Sequence, residues 1–395
     1  MSLKLCEDIW EVIMKTLNCN YEMFNPNIIS SDNCYVTDES GKRYVDFESG
    51  VWSTSLGHNN KQVNEAMIKQ MNIISHTGYR YSNKIVDEAA EKVLNLIGYA
   101  EGKCVFLSSG SEAVEFSVQA VKRIMNKPYF LCFNNYSISA FGLSAARSKE
   151  EWISIDLSDY NGNASSYLEN IPFDKIGAFI FEPGNASGTV KLPPEDLIKS
   201  IETRIREHNG FIVVDEVTTG IGRTGKWFGY EHYNISPDIV ALGKGIGNGY
   251  PVSVIALSKQ VANLLLESGF RYAQSHQNNP LGCAVVKEVI STIENNNYIQ
   301  RASEVGIVLQ HELELLLKKC KCVKEFRGRG LMCVIEFVHS KDFPLEKIHK
   351  ELFDAGYITG VNLNANLLRF YPPLTIGKDH ILGMINVLYD ILAKY

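Results

Sequence analysis

Residues 211–251 read FIVVDEVTTGIGRTGKWFGYEHYNISPDIVALGKGIGNGYP, and two of their side chains are placed to do chemistry together. One apolar run ends in the acidic pair Asp215-Glu216. A second, DIVALGK, ends in Lys244 between two glycines. Short apolar runs of this kind read as buried strands of a parallel sheet, and ligands of such sheets lie at the strands' carboxyl ends. A lysine and a carboxylate so placed suit pyridoxal phosphate: the amine forms a Schiff base, and the carboxylate keeps a proton on the pyridine nitrogen so that the ring draws electrons. Each residue also has a plainer reading. A strand-end aspartate caps turns, and a lysine among glycines is ordinarily solvated. The glycines around Lys244 favour the first reading, since backbone that must pass close to a bound group needs them.

A third segment, VFLSSGSEAVEFSVQAVKR, reads as a strand, a Ser-Ser-Gly-Ser turn and an amphipathic helix. The N–H groups near Gly110, Ser111 and Glu112 at the start of that helix form a phosphate site, or the turn is an ordinary serine cap. It is not a P-loop, because no Gly-Lys-Ser/Thr follows. Gly220-Ile-Gly222-Arg-Thr-Gly225 matches a dinucleotide fingerprint in letters only. It stands three residues beyond the acidic pair and runs into KWFGYEHY instead of an apolar helix.

The elements that must position these residues follow from the pattern around them. From Cys104 onward strands and helices alternate: VFLSS, EAVEFSVQAVKRIM, AFIFEP, PPEDLIKSIETRIREH, FIVVDE. That order predicts an α/β fold, a parallel sheet with helices on both faces. Residues 33–47 read as short strands around an ESGK turn, and 61–72 and 84–96 as helices. A helical stretch begins near Pro280, and FRGRGLMCVIEF and LLRFYPPLTI read as strands of a smaller sheet. The expected division is a large domain over 51–279 and a small α+β domain built from 1–50 and 280–395.

With 395 residues, 45% apolar and 21% charged, the chain suits two folded domains. A net charge of −6 with no basic patch speaks against nucleic acid. The opening MSLKLCEDIWEVIMKTL reads as helical in its first ~15 residues; its acidic residues interrupt its apolar stretch, no signal-peptide layout is visible, and no run suits a membrane span. A cytoplasmic protein is expected. Nine scattered cysteines argue against a disulfide framework, and histidines without paired spacing predict no metal.

Taken together, DEVTTGIGRTGKWFGYE and PDIVALGKGIGNGYP resemble the signature of class III aminotransferases, the ornithine and ω-amino-acid group of fold type I pyridoxal-phosphate enzymes. The resemblance extends over nearly the whole chain through DFESGVWSTSLGHNN, SSGSEA, AFIFEP, SHQNNPLGCA, RGRGLMCVIEF and LRFYPPLTI, in the family's order. It implies a large domain with a mostly parallel, seven-stranded type of sheet between helices. Lys244 is then the Schiff-base lysine and proton shuttle, and Asp215 the partner of the pyridine nitrogen. Gly110 and Ser111 hold the phosphate, and Tyr136 stacks on the ring. Glu182, Val217 and Thr218 line the cofactor. Ser275 reaches the phosphate of a neighbouring subunit, which implies a homodimer with shared active sites. Arg369 grips a substrate carboxylate through a bidentate contact. The implied function is transfer of an amino group between an amino acid or ω-amino compound and a 2-oxo acid, by a ping-pong cycle. An aminomutase or amino-acid racemase would carry the same cofactor motifs.

The departures bear on substrate. Tyr136 is followed by Ser137-Ile138-Ser139 where the family usually has His-Gly-Arg or His-Gly-Thr. Ala186-Ser187-Gly188 replaces a Gly-Glu-Gly turn whose glutamate covers the carboxylate-binding arginine in ornithine-type members. Thr218 stands for a glutamine, and Val51 for a tyrosine. Trp52 is similar to the tryptophan lining the pocket of ω-amino-acid and amine:pyruvate members, or is a core residue. The expectation is an Arg369 unmasked by any glutamate, beside an aromatic wall at Trp52.

Overall fold

The computed structural model describes residues 27–134, 136, 138–185, 188–338 and 343–395. The expected N-terminal helix, Cys6, Cys19, Ser137, Ala186 and Ser187 lie outside them.

The central sheet has seven strands: β4 (Lys103–Leu107), β5 (Tyr129–Phe133), β6 (Trp152–Ile155), β7 (Ile176–Phe181), β8 (Phe211–Asp215), β9 (Ile239–Leu242) and β10 (Ser253–Leu257). Their order is β4-β10-β9-β8-β7-β5-β6. β6, β5, β7, β8 and β9 run parallel, and β10 runs antiparallel to both β9 and β4. Strands β7, β8, β9 and β10 are buried at every position. That is why they read as unbroken apolar runs: helices cover both faces, leaving no solvent face to alternate with. The mostly parallel α/β architecture expected from the sequence is present.

Two four-stranded sheets flank it. One joins β1 (Ile28–Asp32), β2 (Tyr35–Asp38) and β3 (Arg43–Asp46) to β13 (Tyr357–Ile358). The other orders β11 (Val323–Arg329), β12 (Met332–Phe337), β15 (Leu367–Phe370) and β14 (Gly360–Asn362). β13 pairs with β3 in parallel, so residues near 45 and 357 lie side by side. The helix Pro280–Asn295 packs on the helices Lys61–Ile73 and Lys84–Ile97. No described helix is long and apolar enough to cross a membrane.

Candidate active site

Strands β8 and β9 are hydrogen-bonded neighbours, with Asp215 in register with Ala241. Their carboxyl ends therefore bring Asp215 and Lys244 to one edge of the sheet. Lys244 follows the extended Gly243 and itself takes φ +45°, opening a 3-10 turn. A left-handed lysine is uncommon and costs backbone energy, which is expected where a side chain has to be aimed. Its Nζ donates to Thr218 Oγ1 at 2.6 Å and lies 4.6 Å from the centre of the Trp52 ring. Burial lowers the pKa of this amine, against the opposing pull of the Glu182 and Asp215 charges.

Asp215 is 4% exposed, and its Oδ1 accepts the Val217 N–H at 2.9 Å. Burial raises its pKa above the ordinary carboxylate range, although that hydrogen bond and Lys244 both favour the anion. Glu216, the second acid of the pair, does different work. It is fully buried, and its carboxylate accepts from Thr219 Oγ1 (2.7 Å), Gly229 N (2.9 Å) and Tyr230 N (2.8 Å). It ties the loop after β8 into a fixed shape and so holds Val217 and Thr218 in place.

The third motif packs onto the first two. Ser109 caps the helix Gly110–Ile124: its Oγ accepts the Glu112 N–H at 3.2 Å, while Glu112 accepts the N–H groups of Ser108 and Ser109. The expected phosphate site thus narrows. The Glu112 N–H is taken, and the first-turn N–H groups of Gly110 and Ser111 have no intrahelical acceptor. A Cβ on Gly110 would fall 2.5 Å from Val217 Cγ1, and one on Gly243 would fall 3.2 Å from Gly110 Cα. The helix start, Val217 and the lysine turn are in direct contact. Ser111 Oγ accepts the Ala140 N–H at 2.9 Å, leaving its proton to donate.

The remaining expected residues divide. Tyr136 is 2% exposed; its hydroxyl donates to Lys191 O at 2.8 Å, and burial raises its pKa. Glu182, at the end of β7, is buried with its charge near Lys244 and Tyr136. Ser275 is exposed, and it is the neighbouring Gln274 that reaches Ser108 Oγ at 3.0 Å and Glu112 Oε1 at 3.3 Å. Arg369 also lies against Trp52, its Cζ 5.1 Å from the ring centre.

One expectation is overturned. Arg369 is not free of a glutamate: Glu48, from the end of β3, accepts from its Nη2 at 3.2 Å and from Trp52 Nε1 at 3.3 Å. The pair spans 321 positions of sequence. It forms because Phe47 O accepts the Tyr371 N–H, bringing the end of β3 against the end of β15. Glu48 and the Thr218–Lys244 contact were both missed; an acid inside DFESG was the available signal for the first.

The Gly-x-Gly-x-x-Gly segment forms turns here, and its Arg223 is fully buried, donating to the carbonyls of Leu331 and Pro372. It is a structural brace between the loop and the β12–β15 edge. Among the described residues no cluster of three or more His, Cys, Asp or Glu side chains could hold a metal.

The family model described as aminotransferase class-III matches residues 16–392. The chain belongs to the class-III aminotransferase family. It is 30% identical to the acetylornithine aminotransferase of Aquifex aeolicus, over 96% of this chain and 100% of that protein. It is also 30% identical to the LysW-aminoadipate semialdehyde/glutamate semialdehyde transaminase of Sulfolobus acidocaldarius, over 93% and 95%. The solved acetylornithine aminotransferase of Elizabethkingia anophelis superposes with a TM-score of 0.84 at 25% identity, over 95% of this chain and 96% of that one. This aminotransferase is pyridoxal phosphate-dependent and has the fold type I architecture. Its donor set suits that group: a buried acid short of a cation, a desolvated amine, and first-turn N–H groups packed against both.

Proposed function

We propose that this aminotransferase moves an amino group from an amino acid or ω-amino compound to a 2-oxo acid in a single pocket at Lys244. When bound, pyridoxal phosphate supplies an aldehyde carbon for the lysine and a ring that takes up the electrons of the bond broken in the substrate. Lys244 Nζ serves as the base that removes the proton from the amine-bearing carbon and returns it. Its desolvation favours the neutral amine that this needs. Thr218 keeps that Nζ in place. Asp215 would accept the N–H of the protonated ring nitrogen, a cation that favours its buried carboxylate. Gly110 and Ser111 hold the phosphate at the helix start. Tyr136 and Val217 would line the ring, Glu182 lies near Lys244, and Trp52 and Arg369 form the substrate side. The donor's carbonyl product leaves before the 2-oxo acid enters, and Arg369 is the group that meets the acid's carboxylate.

We assign cofactor binding to residues 51–279 and part of the substrate wall to 1–50 with 280–395. The contributions of Lys244, Asp215 and Gly110 from the first, and of Glu48 and Arg369 from the second, support this. A homodimer completed by Ser275 of a second copy belongs to the same reading. So does a cytoplasmic setting, consistent with the seven described cysteines all being free thiols.

The observation that carries the reading is the convergence of Thr218 and Trp52 on Lys244 beside Asp215. The test is the visible spectrum of the cofactor-loaded protein as ω-amino acids, α-amino acids and simple amines are added. Bleaching of the yellow form by one donor, reversed by a 2-oxo acid, is expected. A substrate racemised or rearranged with no carbonyl product would instead establish an isomerase.

A further inference from the structure

The element that carries Glu48 is strained and firmly held. Asp46 accepts the N–H groups of Glu48 (2.7 Å) and Gly50 (2.8 Å), and His58 Nε2 lies 2.8 Å from its Oδ2. Ser49, Gly50, Val51 and Trp52 follow with φ of +48°, +56°, +58° and +68°, a left-handed turn. L-residues enter that region at a cost, the β-branched Val51 most of all. The turn is closed by Trp52 N–H on Glu48 O and by Ser49 Oγ on Tyr371 O, each at 2.6 Å. Its result is that Glu48 and Trp52 meet Arg369 together.

The opposite wall is cut to receive them. A Cβ on Gly360, in β14, would fall 2.6 Å from Arg369 Nε and closer still to Glu48 Oε1. The paired side chains are 15% and 12% exposed, so water screens them little. Arg369 Nε, Glu48 Oε1 and the Tyr371 hydroxyl are all buried without a hydrogen-bond partner. A carboxylate arriving at Arg369 must push Glu48 aside, leaving a buried anion on Trp52 Nε1 alone, or share the guanidinium with it. Both are unfavourable, one through a lost partner and the other through like charges in contact. A substrate with no carboxylate at that end leaves the pair closed and slides along the Trp52 face.

We infer that Glu48 is a specificity-determining residue that occupies Arg369, so the site favours amino donors with no carboxylate on the amine-bearing carbon: monoamines and diamines over α-amino acids. This rests on the transaminase reading given above. The penalty falls equally on every acid that uses Arg369, the 2-oxo acceptor included, and it disappears when the Glu48 charge is removed.

The experiment compares donors that differ only by a carboxylate: propylamine with 2-aminobutanoate, and 1,4-diaminobutane with 2,5-diaminopentanoate. In the unaltered holoenzyme kcat/KM is expected to favour the amine of each pair, and Glu48→Gln to cut the amine-to-acid ratio by about tenfold or more, the scale of a close buried charge pair. Glu48→Asp, which keeps the charge but shortens its reach, moves the ratio in the same direction and serves if the glutamine variant does not fold. A second readout needs no turnover. Propanoate, with a carboxylate and neither amine nor ketone, should bind the cofactor-loaded Glu48→Gln protein about tenfold more tightly by calorimetry. The inference is overturned if a folded Glu48→Gln protein binds propanoate as the unaltered one does, or if the unaltered enzyme prefers the amino acid of each pair. A failure of the transaminase reading looks different: no donor turns over in either protein, while propanoate affinity still reports on Glu48.

Discussion

Replacing Thr218 by valine isolates the contact that prepares Lys244. The substitution swaps a hydroxyl for a methyl of similar size, so the loop held by Glu216 has no steric reason to move. What is lost is the acceptor 2.6 Å from Nζ. A hydrogen bond to a charged group contributes about 1.5–3 kcal/mol, and one pKa unit corresponds to about 1.4 kcal/mol. The ammonium form loses more than the neutral amine, because the oxygen dipole favours positive charge. The pKa of Lys244, already lowered by burial, should therefore fall further. The assay follows the rate at which the cofactor-free protein reacts with pyridoxal phosphate across a pH series. Borohydride reduction and peptide mass confirm the modified lysine, and thermal unfolding confirms a folded protein. Only the neutral amine attacks, so the midpoint of the rate profile reports the lysine. Thr218→Val should move that midpoint to lower pH and quicken the reaction near neutrality, while Thr218→Ser should restore it. A midpoint unmoved or moved to higher pH would refute the claim that Thr218 holds the charged form.

Two further expectations concern the frame around that lysine. Gly110→Ala introduces a Cβ 2.5 Å from Val217 Cγ1, and overpacking of this kind costs about 1–3 kcal/mol. Equilibrium titration of the apoprotein should show cofactor affinity reduced by roughly fivefold to a hundredfold, the range that such an energy represents. Burial pushes the Glu216 pKa up from 4.5 to about 8, against three donors that favour the anion. Between those values the native state holds a proton that the unfolded chain has released, so stability should fall as pH rises from about 5 to 8. Denaturant melts over that range should show this slope, and Glu216→Gln should lessen it, leaving the part that the raised Asp215 contributes.

Strands β7, β8 and β9 were legible because a sheet covered on both faces leaves an unbroken apolar run, and their carboxyl ends announce where charge is functional. β5, β6 and β10 were not distinguished: YFLCF, WISI and SVIAL are short runs without a charged residue, and the antiparallel direction of β10 depends on its partners. The Ser109–Glu112 capping box was readable as a serine turn at a helix start, since caps are local. The pairing of Arg369 was not legible at the turn near residue 187, where ornithine-type members carry the glutamate. The acid that meets it comes instead from DFESG, through a left-handed turn that no propensity favours.

The sequence by itself determined strands β4, β7, β8 and β9 of the large sheet, its functional edge, and the acid and lysine at the ends of adjacent strands. Those features follow from hydrophobic runs, glycine turns and residue type, all local in the chain. Only tertiary structure decided which groups meet the charges there. Thr218 reaches Lys244 because Glu216 pins the loop that carries it. Glu48 reaches Arg369 because the end of β3 bonds to the end of β15 over more than three hundred residues. Contacts of that separation are set by the closure of the whole core, and no local pattern encodes them.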